Sequence, residues 1–193
     1  FCCVADGVVR GATTTSKHEP MDTAGRAALY RNQHHASVVV VDRLGVGAGV
    51  ASALRELRGG TLDWQVVAFA GSERPTQEDS PYLNQRAEAY WYAREQLQLG
   101  KVQAPKDERA VDELCETRWF TNSKGTIQLE RKDDVKDRLG RSPDRADAWV
   151  MAVWGLKFAV LASPAMREDE MEPPLWEDED SEVTSGSRGY GWK

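Results

Sequence analysis

The sequence predicts an α/β domain with a mixed, mostly parallel central sheet flanked by helices, and three observations carry that prediction. Residues 37–42 hold a run of four valines that stops on Asp42, an uninterrupted apolar strand of the kind covered on both faces. The run turns through Gly45, Gly47 and Gly49 into an Ala- and Leu-bearing helix over 46–57, and a further apolar strand follows at 64–69. Strand, helix, strand at this spacing is a crossover that makes the two strands parallel. A last helix over 142–161 is apolar almost all round, with Trp149, Val150, Val153, Trp154 and Phe158, and must lie against the sheet.

The remaining elements follow in order. Residues 1–10 read as two strands around Asp6-Gly7, the two-residue hairpin signal. After a polar loop, Asp22 is expected to cap a helix carrying Ala24, Ala27, Ala28, Leu29 and Tyr30. Residues 71–82, with two prolines and two serines, make a long surface loop of a length that is often functional. Helices are expected over 83–99 and 107–117. Strands at 119–120 and 126–129 flank Asn122-Ser123-Lys124-Gly125 as a short hairpin, and a charged helical turn at 132–139 stops at Gly140. Ser142 as N-cap, Pro143 at the first helical position and Asp144 in the first turn open the last helix.

The 193 residues suffice for one domain with a substantial core. The net charge of −6 is uneven: residues 167–193 carry nine acidic and three basic side chains, which leaves the preceding body neutral. This divides the chain into a folded domain at 1–163 and an acidic, low-complexity tail at 164–193 that is expected to be disordered. An acidic pI would exclude nucleic acid only if the charge belonged to the folded part. No apolar run is long enough to cross a bilayer, so neither a membrane partner nor a signal peptide is expected. Cys2, Cys3 and Cys115 have no zinc-knuckle spacing and are expected as reduced core thiols. The chain opens inside an apolar run, Phe1-Cys2-Cys3-Val4, as a fragment of a longer polypeptide would.

The chemistry is expected at carboxylates. A chain end at the C-terminal edge of a parallel strand is where open α/β sheets keep ligands, so Asp42 is either a metal ligand or a capped turn residue. Asp144 and Asp147 stand three apart in the first turn of the last helix and can share a face. Capping and dipole compensation explain Asp144 well and Asp147 less well, since Asp147 leads straight into the Trp- and Val-rich core face. Oxygen-only ligands converging from distant parts of the chain suit hard cations such as Mg²⁺ or Mn²⁺. Two such ions about 3.5–4 Å apart can activate a water and stabilise the leaving oxygen of a phosphodiester. Lys132, Lys136, Arg138, Arg141 and Arg145 form a basic cluster beside the aspartate pair, either fit to hold phosphates or a solvated face. His34 and His35 read as loop residues. Gly45-x-Gly47-x-Gly49 is a weak match to a dinucleotide fingerprint, because position 50 is Val and Asp42 would sit beside the pyrophosphate.

Four segments in order carry a family resemblance: Val40-Val41-Asp42-x-x-Gly45-Val46-Gly47-Ala48-Gly49-Val50; Tyr82-Leu83-Asn84-Gln85-Arg86-Ala87-Glu88-Ala89-Tyr90-Trp91; Ile127 through Glu130, Lys132, Lys136 and Arg138; and Gly140-Arg141-Ser142-Pro143-Asp144-x-Ala146-Asp147. Over about residues 1–160 the chain resembles the C-terminal nuclease domain of the large terminase subunit of tailed phages. The resemblance implies a ribonuclease-H-like fold and metal-dependent cutting of concatemeric double-stranded DNA in the host cytoplasm. It implies as partners an upstream ATPase domain of the same polypeptide, other terminase subunits and the portal. By the match Asp42 is a metal ligand, Asp147 the leading helix ligand and Asp144 its neighbour. Arg86 and the basic cluster are candidates for DNA contact, with Asn84 and Glu88 as further helix-start candidates. The family's first acidic ligand sits on a strand before the one that opens this chain, and Asp6 cannot replace it from a hairpin turn. No Gly-x-x-x-x-Gly-Lys-Ser/Thr motif of an ATPase occurs. Weak metal binding and little cleavage are therefore expected of this chain alone. The alternatives are a non-catalytic interaction module or another ribonuclease-H-like nuclease such as a resolvase.

Overall fold

A computed structural model describes residues 1–13, 19–45, 47–60 and 63–159. The acidic tail expected beyond 163 lies outside the described residues.

The chain opens with β1 (Cys2–Ala5) and β2 (Val8–Ala12), an antiparallel hairpin. Its turn places Asp6 and Gly7 at positive φ, 52° and 72°, as a two-residue hairpin of this twist requires. Helix α1 (Pro20–His34) starts with Pro20 in its first turn, and the N-cap is Glu19 rather than the expected Asp22, which sits in the first turn instead. The pre-set φ of proline fixes the start three residues earlier. Strand β3 (Val38–Asp42), helix α2 (Gly47–Arg58) and strand β4 (Gln65–Phe69) form the expected parallel crossover, in register from Val38 opposite Gln65 to Asp42 opposite Phe69. Helices α3 (Gln85–Gln98) and α4 (Glu108–Glu116) precede a second hairpin, β5 (Trp119–Thr121) with β6 (Ile127–Leu129). Helix α5 (Lys132–Leu139) ends at Gly140 in the left-handed conformation, and α6 (Asp144–Ala159) closes the described fold.

The class is α/β, but the expected mostly parallel central sheet is not continuous. Three two-stranded ribbons form among the described residues, and of these β3–β4 alone is parallel. The first two nonetheless share the same two layers. Cys2, Val4, Val9, Val40 and Val67 pack with Ala89, Ala93, Trp149, Val150, Val153 and Trp154 of α3 and α6. Phe1, Val39, Val41 and Val66 pack with Ala24, Ala27, Val50, Ala53 and Leu54 of α1 and α2. This is period-two alternation between two helical layers, the pattern of strands buried on both faces. Between β1 and β3 lies a cleft of about 760 Å³, lined by every residue of both strands and by side chains of α1 and α6. Both β1 and β3 present their length to this cleft, and the two ribbons stay separate among the described residues.

Helix α6 crosses β3 at close range. A Cβ on Gly155 would lie 2.8 Å from Val40 Cγ2, so only glycine permits the approach that buries Trp149 and Trp154, each 2% exposed. The three cysteines are free; Cys3 is buried and Cys2 half-buried, but Cys115 is exposed on α4, so only the first two are core thiols. No described helix is long and apolar enough to cross a membrane.

Candidate functional site

Strand β3 ends on Asp42, whose Oδ1 accepts a hydrogen bond from Leu44 N at 3.0 Å. That is the Asx-turn role of a short carboxylate at a strand end. The second oxygen has no hydrogen-bond partner among the described residues, so Asp42 caps its turn with one oxygen and leaves the other uncommitted there. The chain re-enters helix directly beneath it: a Cβ at Gly47 would collide with the Asp42 carbonyl oxygen.

Asp147 occupies the first turn of α6 with its side chain 19% exposed, against 74% for Asp144. Its Oδ1 accepts from the Tyr90 hydroxyl at 2.7 Å and its Oδ2 from Lys132 Nζ at 2.6 Å. Asp144 turns outward, where its Oδ1 accepts from Ser142 Oγ at 2.6 Å and from Lys132 Nζ at 3.2 Å. Asp42, Asp147, Lys132, Arg86, Tyr90 and Asn84 all line one pocket of about 270 Å³, together with Gly71, Ser72 and apolar residues; Asp144 is not part of its wall. Side chains 105 positions apart thus line one pocket, with α6 packed against β3.

Electrostatics follow from this arrangement. Burial alone would lower the Lys132 ammonium's pKa, but the Asp147 and Asp144 carboxylates outweigh it and hold the pKa above its ordinary value. Burial likewise opposes ionisation of Asp144, yet Ser142 and Lys132 bring its pKa below the ordinary one. Tyr90 is pushed strongly upward by burial and then by the Asp147 charge, so its hydroxyl remains a donor to that carboxylate.

The other residues singled out in the sequence divide clearly. Asn84 is the N-cap of α3, accepting from Ala87 N at 2.9 Å. Glu88, 4% exposed, binds Thr76 of the long loop and Lys157 of α6, so it clamps that loop to the helical layer. Of the basic cluster, Arg138 pairs with Glu116 and Glu130, Arg141 with Glu113, Arg145 with Asp107, and Lys132 with Asp144 and Asp147. Lys136 makes no ion pair among the described residues. Four of the five cations are thus engaged with carboxylates of the domain itself. Reasoning from the sequence missed Glu113, 1% exposed, which accepts from Arg145 N and Ala146 N at 2.9 Å and caps α6 from across the layer. It also gave Tyr90 no role of its own; its place one helical turn after Arg86 was the available signal.

The donor set of Asp42 and Asp147 is oxygen-only, which fits a hard divalent cation rather than a thiolate-seeking one. No group of three or more carboxylate, histidine or cysteine side chains able to hold a metal occurs among the described residues. Asp42 and Asp147 make a partial donor set, of which Asp147 is paired with the Lys132 ammonium and Asp42 with the backbone of its own turn.

No family model matches this chain, and no curated protein matches it. Among solved structures, the nuclease domain of the large terminase subunit gp2 of bacterial virus Sf6 superposes with a TM-score of 0.65 at 24% identity, covering 77% of this chain and 78% of that one. A lysine-to-alanine mutant of that domain with calcium matches over the same shares with the same TM-score. A structure of the mutant with manganese and beta-thujaplicinol matches at 25% identity and a TM-score of 0.62. The chain has the fold of the nuclease domain of a bacterial-virus terminase large subunit.

Proposed function

We propose that this chain is the metal-dependent nuclease domain of a phage DNA-packaging terminase, ribonuclease-H-like in fold, which hydrolyses phosphodiesters of concatemeric double-stranded DNA. One observation carries the proposal: Asp42 at the end of β3 and Asp147 in the first turn of α6 share a pocket with Lys132 and Arg86, in a chain whose solved neighbours are terminase nuclease domains, some with manganese or calcium. Asp42 and Asp147 would hold Mg²⁺ or Mn²⁺, two ions in the intact site, with Asp144 as an outer carboxylate. A bound divalent cation supplies Lewis acidity toward a phosphodiester oxygen.

The chain's own residues do the positioning. Tyr90 orients Asp147 through one oxygen, and Lys132 balances its charge through the other. The apolar wall of Leu44, Phe69, Val150 and Met151 keeps bulk water from one side of the pocket. The cleft between β1 and β3 supports a further step: an extended segment pairing with both strand edges would present a third carboxylate beside Asp42. With two pocket carboxylates and no group of three metal-binding side chains among the described residues, this chain is expected to bind metal weakly. Its proposed partners are double-stranded DNA, a terminase ATPase domain, other terminase subunits and the portal, in the host cytoplasm.

The test is Mn²⁺ binding and plasmid cutting by this chain, by one carrying an added N-terminal strand, and by Asp42→Asn and Asp147→Asn in each. Cutting that appears with the added strand and disappears with either substitution supports the proposal. Intact Mn²⁺ binding and cutting in Asp42→Asn would overturn the metal site, and no Mn²⁺ binding or cutting in any of the forms would leave an interaction module as the reading.

A further inference from the structure

Building on the nuclease reading, we propose that Arg86 is the phosphate-binding residue of the Asp42–Asp147 pocket, taking two oxygens of one phosphodiester group on the Nε–Nη2 edge of its guanidinium. The side chain is held from three directions. Its backbone N–H donates to Gly71 O at 3.0 Å, its Nη1 donates to Glu130 O at 2.8 Å, and its guanidinium carbon lies 5.3 Å from the Tyr90 ring centroid. Those contacts anchor the group between the loop after β4 and the end of β6, and they use one of its three nitrogens.

The other two, Nε and Nη2, are buried and have no hydrogen-bond partner among the described residues. An arginine cannot shed its proton to escape this, and buried donors without partners are rare because the desolvation is uncompensated. Nε and Nη2 share one edge of the planar guanidinium, the edge that meets a phosphate with two parallel hydrogen bonds. The neighbouring arginines Arg138, Arg141 and Arg145 all have carboxylates, whereas Arg86 makes no ion pair among the described residues. A brace between the loop and β6 would need Nη1 alone. An oxyanion entering the pocket accounts for the fixed orientation and the unused edge together, and Arg86 with Lys132 offsets the two carboxylates that a phosphate must approach.

The experiment measures binding of a fluorescent 20-base-pair DNA duplex by anisotropy with Ca²⁺ present to hold back turnover, and the rise in Tm on adding inorganic phosphate. The wild type, Arg86→Gln and Arg86→Lys are compared. Arg86→Gln removes a buried, partly unpaired charge, so without ligand its Tm is expected to equal or exceed that of the wild type. Its duplex affinity is expected to fall by about tenfold or more, and the phosphate-induced rise in Tm to vanish. Arg86→Lys keeps the charge but lacks the fork, so it is expected to fall by a similar factor. Should Arg86→Gln fail to fold, Arg86→Lys decides. A variant that binds duplex and phosphate like the wild type overturns the proposal, as does a wild type that phosphate does not stabilise. The nuclease reading is separable: Mn²⁺ binding lost in Asp42→Asn while Arg86 variants bind phosphate normally removes only the Arg86 role. Arg86-dependent phosphate stabilisation with Mn²⁺ binding indifferent to Asp42 removes only the metal site.

Discussion

Asp147 is the residue on which the pocket turns, because each of its oxygens has a fixed donor: Tyr90 on one, Lys132 on the other. Removing a group that orients a ligand costs about 10–100-fold in metal affinity or activity. Tyr90→Phe is therefore expected to weaken Mn²⁺ binding by about that factor, measured by calorimetry, while the loss of one buried hydrogen bond costs only about 1 kcal/mol in urea unfolding. Equal Mn²⁺ affinity in Tyr90→Phe and wild type would remove the orienting role. Asp144 and Asp147 also separate experimentally. Asp144 is largely exposed and outside the pocket wall, so Asp144→Asn is expected to alter Mn²⁺ affinity far less than Asp147→Asn, and the reverse ranking would contradict the geometry. The sequence made both candidates legible by spacing; which of them faces inward depended on the rotation of α6 against β3 and α3, which spacing does not record. The basic cluster shows the same limit, since Glu113 and Glu116 of α4 and Asp107 before it engage Arg141, Arg138 and Arg145 from more than twenty positions away.

At the level of elements, two contacts of different kinds fix the placement of α6 beyond its ion pairs. Along its length Gly155 lets it settle on Val40, and a Cβ there would sit 2.8 Å from Val40 Cγ2. The opposing atom belongs to a stiff β-branched side chain, so Gly155→Ala is expected to cost about 1–3 kcal/mol in urea unfolding. A value near zero would mean that α6 can slide. At its start Glu113 receives Arg145 N and Ala146 N, two of the backbone donors that a helix N-terminus leaves unpaired. Glu113→Ala is expected to cost about 1–3 kcal/mol and to increase hydrogen exchange selectively at residues 144–147. The helix was legible from its apolar run and from Ser142-Pro143. Its cap was not, because a carboxylate supplied by another helix obeys no local pattern; Ser142 instead bonds the Asp144 side chain.

Over the whole molecule, acid should loosen several ties at once. Hydrogen bonds from Arg145 and Arg138 hold the carboxyl groups of Asp107 and Glu130 below their ordinary pKa values. Glu88 and Asp144 are lowered too, by Lys157 with Thr76 and by Ser142 with Lys132, against the opposing effect of burial. A carboxylate with a depressed folded pKa contributes stability that is present above its unfolded pKa and is lost as pH falls through the folded one. Tm is therefore expected to be level near neutrality and to fall below about pH 4.5, the upper end of the unfolded range, with Glu88→Gln showing a shallower acid slope; a Tm indifferent to acid would refute this. The cleft between β1 and β3 is a whole-molecule feature as well. Both ribbons could be read from alternation and turn residues, yet their failure to join could not, since strand pairing depends on which edges meet rather than on either strand's composition. By itself the sequence determined the elements, the parallel crossover and the identity of the carboxylates, because these rest on local periodicity, turn chemistry and residue type. Only the tertiary structure decided that Asp42 shares a pocket with Asp147 but not with Asp144, that most of the basic cluster is internally paired and that a cleft separates β1 from β3 among the described residues, because contacts between distant segments are set by how the layers pack.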